Sequence, residues 1–128
     1  MTTLSGAGRL AGLSVLIVED EMLLAMDYEA ILKREGCAVM GPVPRESKAL
    51  ALIEDRRPDA VVLDLNLAGE RPVRLAETLV ERGVPFVIVS GYGRKQAQEP
   101  VFSTAPRLDK PLHAAKLIEA LSALARPR

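Results

Sequence analysis

An α/β domain, built as a five-unit doubly wound parallel sheet, is what three observations in the sequence predict. Short continuous apolar runs recur at 15–18, 37–40, 60–63 and 86–89. They are rich in Val, Ile and Leu and do not alternate with polar residues, as expected of strands buried on both faces. Segments with helical spacing separate them, so strand and helix alternate from Ser14 to Ala125.

The elements follow in order. Leu24, Ala25, Tyr28, Ile31 and Leu32 keep the i, i+1, i+4, i+7, i+8 spacing of a first helix, and Gly36 stops it. Ala49, Leu50 and Ile53 mark a second helix, which ends before Pro58. Val73, Ala76, Leu79 and Val80 mark a third, ending at Gly83. Ala114, Leu117, Ile118, Leu121 and Ala125 mark the last. Between Gly93 and Pro106 the pattern weakens. A short, weak fourth helix and a fifth strand ending near Leu108 complete the five units there. Residues 1–13 are Gly/Ser/Thr-rich and read as a flexible N-terminal tail, leaving 14–126 as the domain. The chain ends where the last helix of one domain should, so no output domain is expected.

Composition excludes several classes of function. The 128 residues suit one domain. Lys plus Arg (17) equal Asp plus Glu (17), which leaves no basic field for nucleic acid to follow. Two Tyr, two Phe and no Trp make a poor stacking platform for single strands. No apolar run exceeds five residues, against about 20 for a membrane span, and no secretory signal opens the chain. The single Cys37 excludes an internal disulfide and reads as a small buried hydrophobe. The expectation is a soluble, cytoplasmic domain.

The polar residues at the carboxyl ends of the strands carry the chemistry. Glu19, Asp20 and Glu21 follow the first strand, Asp64 the third, Ser90 the fourth and Lys110 the fifth. In an open parallel sheet these ends share the edge where ligands bind. Carboxylates gathered there repel one another unless a cation intervenes, and Mg²⁺ takes such oxygen ligands while keeping waters for a phosphoryl oxygen. Asp64 is then a nucleophile for a phosphoryl group. Lys110 supplies a point charge to a phosphoryl oxygen and Ser90 a hydrogen bond to another. One acidic residue after a strand is most simply a helix cap, but four suitable sites on one edge are not explained that way.

These residues resemble the receiver domain of bacterial response regulators over nearly all of the chain after the tail. The resemblance rests on residues 15–21 ending in Glu19-Asp20-Glu21, on Asp64 with Asn66, on Ser90, and on Lys110-Pro111. The spacing of 44 from Asp20 to Asp64 is ordinary for the family. It implies a three-layer, flavodoxin-like receiver fold of the CheY type. Asp64 is implied as phosphoacceptor, Asp20 as a direct Mg²⁺ ligand, Glu19 as a ligand through water and Asn66 as a ligand through its backbone carbonyl. Ser90 and Lys110 are implied to grip the phosphoryl group. The donor in the family is a phosphohistidine on a histidine kinase. The receiver catalyses only its own phosphotransfer and dephosphorylation.

The departures concern the switch. Three residues before the lysine the family carries Tyr or Phe, and here Arg107 stands there. A buried guanidinium needs a partner for its charge, so Arg107 cannot replace a swinging ring. Tyr92 offers a ring elsewhere. The segment Ile88-Val89-Ser90-Gly91-Tyr92 resembles the Phe-Ala-Thr-Gly-Tyr type of motif in a subgroup of single-domain alphaproteobacterial receivers, whose kinases are commonly of the HWE type. Phosphorylation is expected to order the stretch 91–106 through Ser90 and Tyr92. Output then runs through contact with an undetermined protein or through phosphate traffic alone.

Other signals carry less. Gly6, Gly8 and Gly12 precede the first strand and lack dinucleotide spacing. His113, the single histidine, reads as a surface residue and leaves no triad or zinc site. A haloacid-dehalogenase-type phosphatase needs a second Asp where Asn66 stands, and a flavin binder needs rings this chain lacks. A receiver that acts by binding alone keeps all the acceptor residues and stays an alternative.

Overall fold

A computed structural model describes residues 8–91 and 99–124 of the chain. Tyr92, Gly6, Gly93, Ala125 and residues 126–128 lie outside the described residues. Five strands and four helices follow one another: β1 (Ser14–Val18), α1 (Met22–Arg34), β2 (Ala38–Val43), α2 (Glu46–Asp55), β3 (Ala60–Asp64), α3 (Val73–Glu81), β4 (Phe86–Ser90), a 3₁₀ turn (Pro100–Thr104), β5 (Arg107–Asp109) and α4 (Ala114–Leu124). The weak fourth helix foreseen between Gly93 and Pro106 is this short 3₁₀ turn among the described residues, held by Pro100 at its start and by Phe102 buried beneath it.

The sheet is parallel throughout, in the order β2-β1-β3-β4-β5. Strand order reverses between β1 and β3, so the carboxyl ends of these two strands flank the switch point. Side chains alternate between the two faces. Leu16, Val18, Val61, Leu63, Phe86 and Ile88 pack with Ala49 and Ile53 of α2 and Leu75 and Leu79 of α3. Val15, Ile17, Val62, Val87 and Val89 pack with Tyr28 and Leu32 of α1 and Leu117 and Leu121 of α4. The continuous apolar runs follow from this, since β3 and β4 in the middle of the sheet are covered by a helix layer on both faces and buried at every position.

Two expectations are corrected. Residues 8–13 are not a flexible tail. Leu10 and Leu13 are buried in the α1–α4 layer, the Gly8 and Gly12 N–H groups donate to the Glu35 and Gly36 carbonyls, and Cys37 Sγ faces the Leu10 carbonyl at 3.6 Å. Two isolated leucines are enough to anchor a segment whose other residues look like a linker. Strand β2 also runs three residues past Met40, through Gly41-Pro42 to Val43. Gly41 has φ +82°, and a Cβ there would stand 2.9 Å from the Val43 nitrogen and 3.1 Å from the Ile17 carbonyl oxygen. Only glycine fits this approach to β1.

Candidate functional site

Backbone bonds that prolong the sheet position the functional residues. The Glu19 N–H donates to the Val43 carbonyl at 3.0 Å, which carries β1 one residue past its end. The Lys110 N–H donates to the Ser90 carbonyl at 2.8 Å and does the same for β5 beside β4. Val18 pairs with Leu63, so Glu19 and Asp64 emerge side by side. Asp64, Ser90 and Lys110 meet in one cleft of about 690 Å³, together with Asp20, Glu21, Asn66, Gly69 and Arg71.

The carboxylates crowd together. Oxygens of Glu19, Asp20 and Asp64 lie within 4.8 Å of one another. Glu19 and Asp64 are each 2% exposed, whereas Asp20 opens to solvent. One ammonium answers them: Lys110 Nζ is 3.3 Å from Asp64 Oδ2, 3.5 Å from Glu19 Oε1 and 3.8 Å from Glu21 Oε1. Burial opposes the Lys110 charge, but Asp64 and Glu19 outweigh it, and the ammonium holds its proton more firmly than usual. Burial, and then contact with Asp64, pushes the Glu19 carboxyl up to about 8, against a smaller downward pull from the Glu21 N–H. The cluster therefore lacks positive charge.

Hydrogen bonds fix its rim. Asp64 Oδ1 accepts from the Asn66 N–H at 3.0 Å, and Asn66 Oδ1 accepts from the Gly69 N–H at 2.9 Å, which closes the loop after β3. Asp20 Oδ2 accepts from the Ala68 N–H at 3.0 Å. Ala68 takes a positive φ of 53° to aim that N–H, an uncommon conformation for a residue with a Cβ. No local sequence signal marks it.

Hard oxygen donors in a cluster deficient in positive charge fit a divalent cation such as Mg²⁺, with Glu19, Asp20 and Asp64 as candidate donors. The sequence-predicted residues Glu19, Asp20, Asp64, Asn66, Ser90 and Lys110 thus come together. Arg107 does not join them. It lies half-buried on β5, paired with Ile88, and makes no ion pair among the described residues. Glu21, which the sequence placed after the first strand, lines the cleft too, as does Arg71, which the sequence did not single out.

The sequence profile of the response regulator receiver domain matches residues 15–122. The chain belongs to that family. Among curated relatives of this receiver, the phyllosphere-induced regulator PhyR of Methylorubrum extorquens is 30% identical over 115 residues, covering 84% of the chain and 42% of PhyR. The transcriptional regulatory protein PdtaR of Mycobacterium tuberculosis is 27% identical over 110 residues, covering 84% of the chain and 54% of PdtaR. The chain thus spans about half the length of the curated relatives it matches, or less. Among solved structures, SdrG from Sphingomonas melonis Fr1 is 36% identical with a TM-score of 0.77, covering 94% of this chain and 98% of SdrG. The fold is the flavodoxin-like receiver fold of two-component signalling, a family whose members work with histidine kinases. No helix among the described residues is long and apolar enough to cross a membrane.

Proposed function

We propose that the chain is a phosphoacceptor, in which Asp64 takes a phosphoryl group from a phosphohistidine of a histidine kinase. The observation that carries this reading is the Lys110 ammonium 3.3 Å from the buried Asp64 carboxylate, beside Glu19 and Asp20 in an open cleft. An Asp64 oxygen attacks phosphorus in line as the histidine nitrogen leaves. Lys110 turns toward a transferred oxygen and the Ser90 hydroxyl donates to another. Glu19, Asp20, Asp64 and the Asn66 carbonyl are the groups that would hold Mg²⁺, which offsets charge on the phosphoryl oxygens when bound. The chain's own catalysis is limited to this transfer and to loss of the phosphoryl group.

The kinase is of the HWE type on this reading, supported by the resemblance of residues 88–92 to the subgroup such kinases serve. Such a donor works in the cytoplasm. Output passes to another protein by contact, or the chain drains phosphate from its kinase. With Arg107 where the family has a ring, Tyr92 is the aromatic available to a switch.

Intact mass after incubation with Mg²⁺ and a small phosphodonor tests the acceptor, wild type beside Asp64→Asn. Gain of one phosphoryl group in the wild type alone is the expected result. No gain under Mg²⁺-saturating conditions, with this donor and with a panel of charged histidine kinases, would leave a binding-only receiver.

A further inference from the structure

Four buried side-chain oxygens among the described residues have no hydrogen-bond partner: Ser14 Oγ, Glu19 Oε1, Tyr28 OH and Glu99 Oε1. A buried hydroxyl without a partner is costly, so the Tyr28 phenol asks for an acceptor. Ser14 opens β1 at the amino edge of the sheet, far from the functional cleft. Glu99 stands beside Arg71, ahead of a 3₁₀ turn that packs on the α2–α3 layer. Tyr28 belongs to the opposite layer, among Val15, Ile17 and Leu32. Glu19 lies two residues beyond Ile17 on the prolonged β1, so the pleat turns its side chain to this same α1–α4 side. The Glu19 charge, after burial, is the next cause that keeps the phenol proton on well above its ordinary range.

The two oxygens of Glu19 have different surroundings. Oε2 accepts from the Glu21 N–H at 3.1 Å. Oε1 has only the Lys110 ammonium, at 3.5 Å. A carboxylate oxygen has two lone pairs, so Glu19 Oε1 can accept from a donor besides the Lys110 ammonium.

We propose that Tyr28 is a positioning residue for the metal site: when the site holds a cation, its hydroxyl donates to Glu19 Oε1 and keeps the carboxylate aimed at that cation and its waters. This rests on the reading of Glu19, Asp20 and Asp64 as Mg²⁺ donors. Tyr28 touches neither the cation nor the phosphoryl group and acts only through Glu19. The rest of its face on α1 is Ala25, Ile31 and Leu32, so a ring alone would satisfy packing there, and the hydroxyl is what packing does not explain.

The test is Mg²⁺ titration by calorimetry on the full chain, for wild type, Tyr28→Phe, Glu19→Ala and the double variant. Tyr28→Phe keeps the ring and removes one oxygen, so folding is preserved, and melting in EDTA checks this. Expected are about tenfold weaker Mg²⁺ binding in Tyr28→Phe, the usual scale for losing a group that orients a ligand, and no further loss when Tyr28→Phe is added to Glu19→Ala. A purely structural tyrosine would leave Mg²⁺ affinity within twofold of wild type, or weaken both backgrounds equally, and either result overturns the proposal. Failure of the wild type itself to bind Mg²⁺ overturns the metal-site reading and this proposal together, which separates that outcome from failure of Tyr28 alone.

Discussion

In EDTA, replacing Glu19 by Gln should change how stability depends on pH. Glu19 is pushed up to about 8 in the fold, against an ordinary value of 4.5, and its side chain is fully buried. An acid whose folded value is raised binds its proton more tightly in the folded state. Its favourable contribution is therefore complete below about pH 4.5 and is lost as pH rises through about 8. Between these limits stability falls by about 1.4 kcal/mol per pH unit, flattening near the upper one. From pH 6 to pH 8.5 the loss amounts to about 2–3 kcal/mol, or on the order of 10 °C in melting temperature for a chain of this size. The assay is thermal or urea unfolding of wild type and Glu19→Gln across that range. Groups that titrate elsewhere cancel in the difference. Wild type should lose stability relative to the variant as pH rises, and Mg²⁺ at saturation should abolish the divergence. Parallel curves in EDTA would refute the charge-deficient cluster on which the metal reading depends.

Two further outcomes test separate parts of the reasoning. Lys110→Ala should slow phosphorylation of Asp64 by about 100-fold at saturating Mg²⁺, the scale of losing one preorganised charge donor, followed by intact mass against time; a rate within threefold of wild type would remove Lys110 from the chemistry. Leu10→Ala should cost about 2–4 kcal/mol in urea unfolding, because Leu10 is fully buried against the α1–α4 layer, whereas a tail residue would change nothing.

The sheet was legible because burial on both faces leaves no polar residue inside a strand, and Ala60–Asp64 and Phe86–Ser90 are buried at every position. The site was legible for a related reason. A parallel sheet collects the residues that follow its strands, so Glu19, Asp64, Ser90 and Lys110 could be placed together without contact information. What escaped depends on single contacts. Leu10 and Leu13 sit among glycines and serine, and composition averaged over thirteen residues hides two well-anchored leucines. Gly41-Pro42 interrupts the apolar run of β2 yet continues the strand. No spacing in the sequence marks Arg57, whose guanidinium caps the end of α3 by donating to the carbonyls of Arg82 and Gly83 at 3.2 and 2.9 Å. Tyr28 fitted the apolar spacing of α1 well enough that its hydroxyl went unread.

The same electrostatics connect the resting site to its function. Around the cleft stand Glu19, Asp20, Glu21 and Asp64, with Lys110 as their shared cation. With Glu19 holding its proton at neutral pH, three carboxylates face one ammonium, leaving a deficit that matches a divalent charge. Lys110 is meanwhile shared: its ammonium donates to Asp64 Oδ2 at 3.3 Å and also lies 3.5 Å from Glu19 and 3.8 Å from Glu21. On the proposed reading, Glu19, Asp20 and Asp64 would hold the cation, Glu19 would give up its proton to do so, affinity for the cation would rise with pH, and the Lys110 ammonium would be free to meet an incoming phosphoryl oxygen. On the same reading, a crowding of acids that destabilises the metal-free fold would ready Asp64 for phosphoryl transfer when the cation is present.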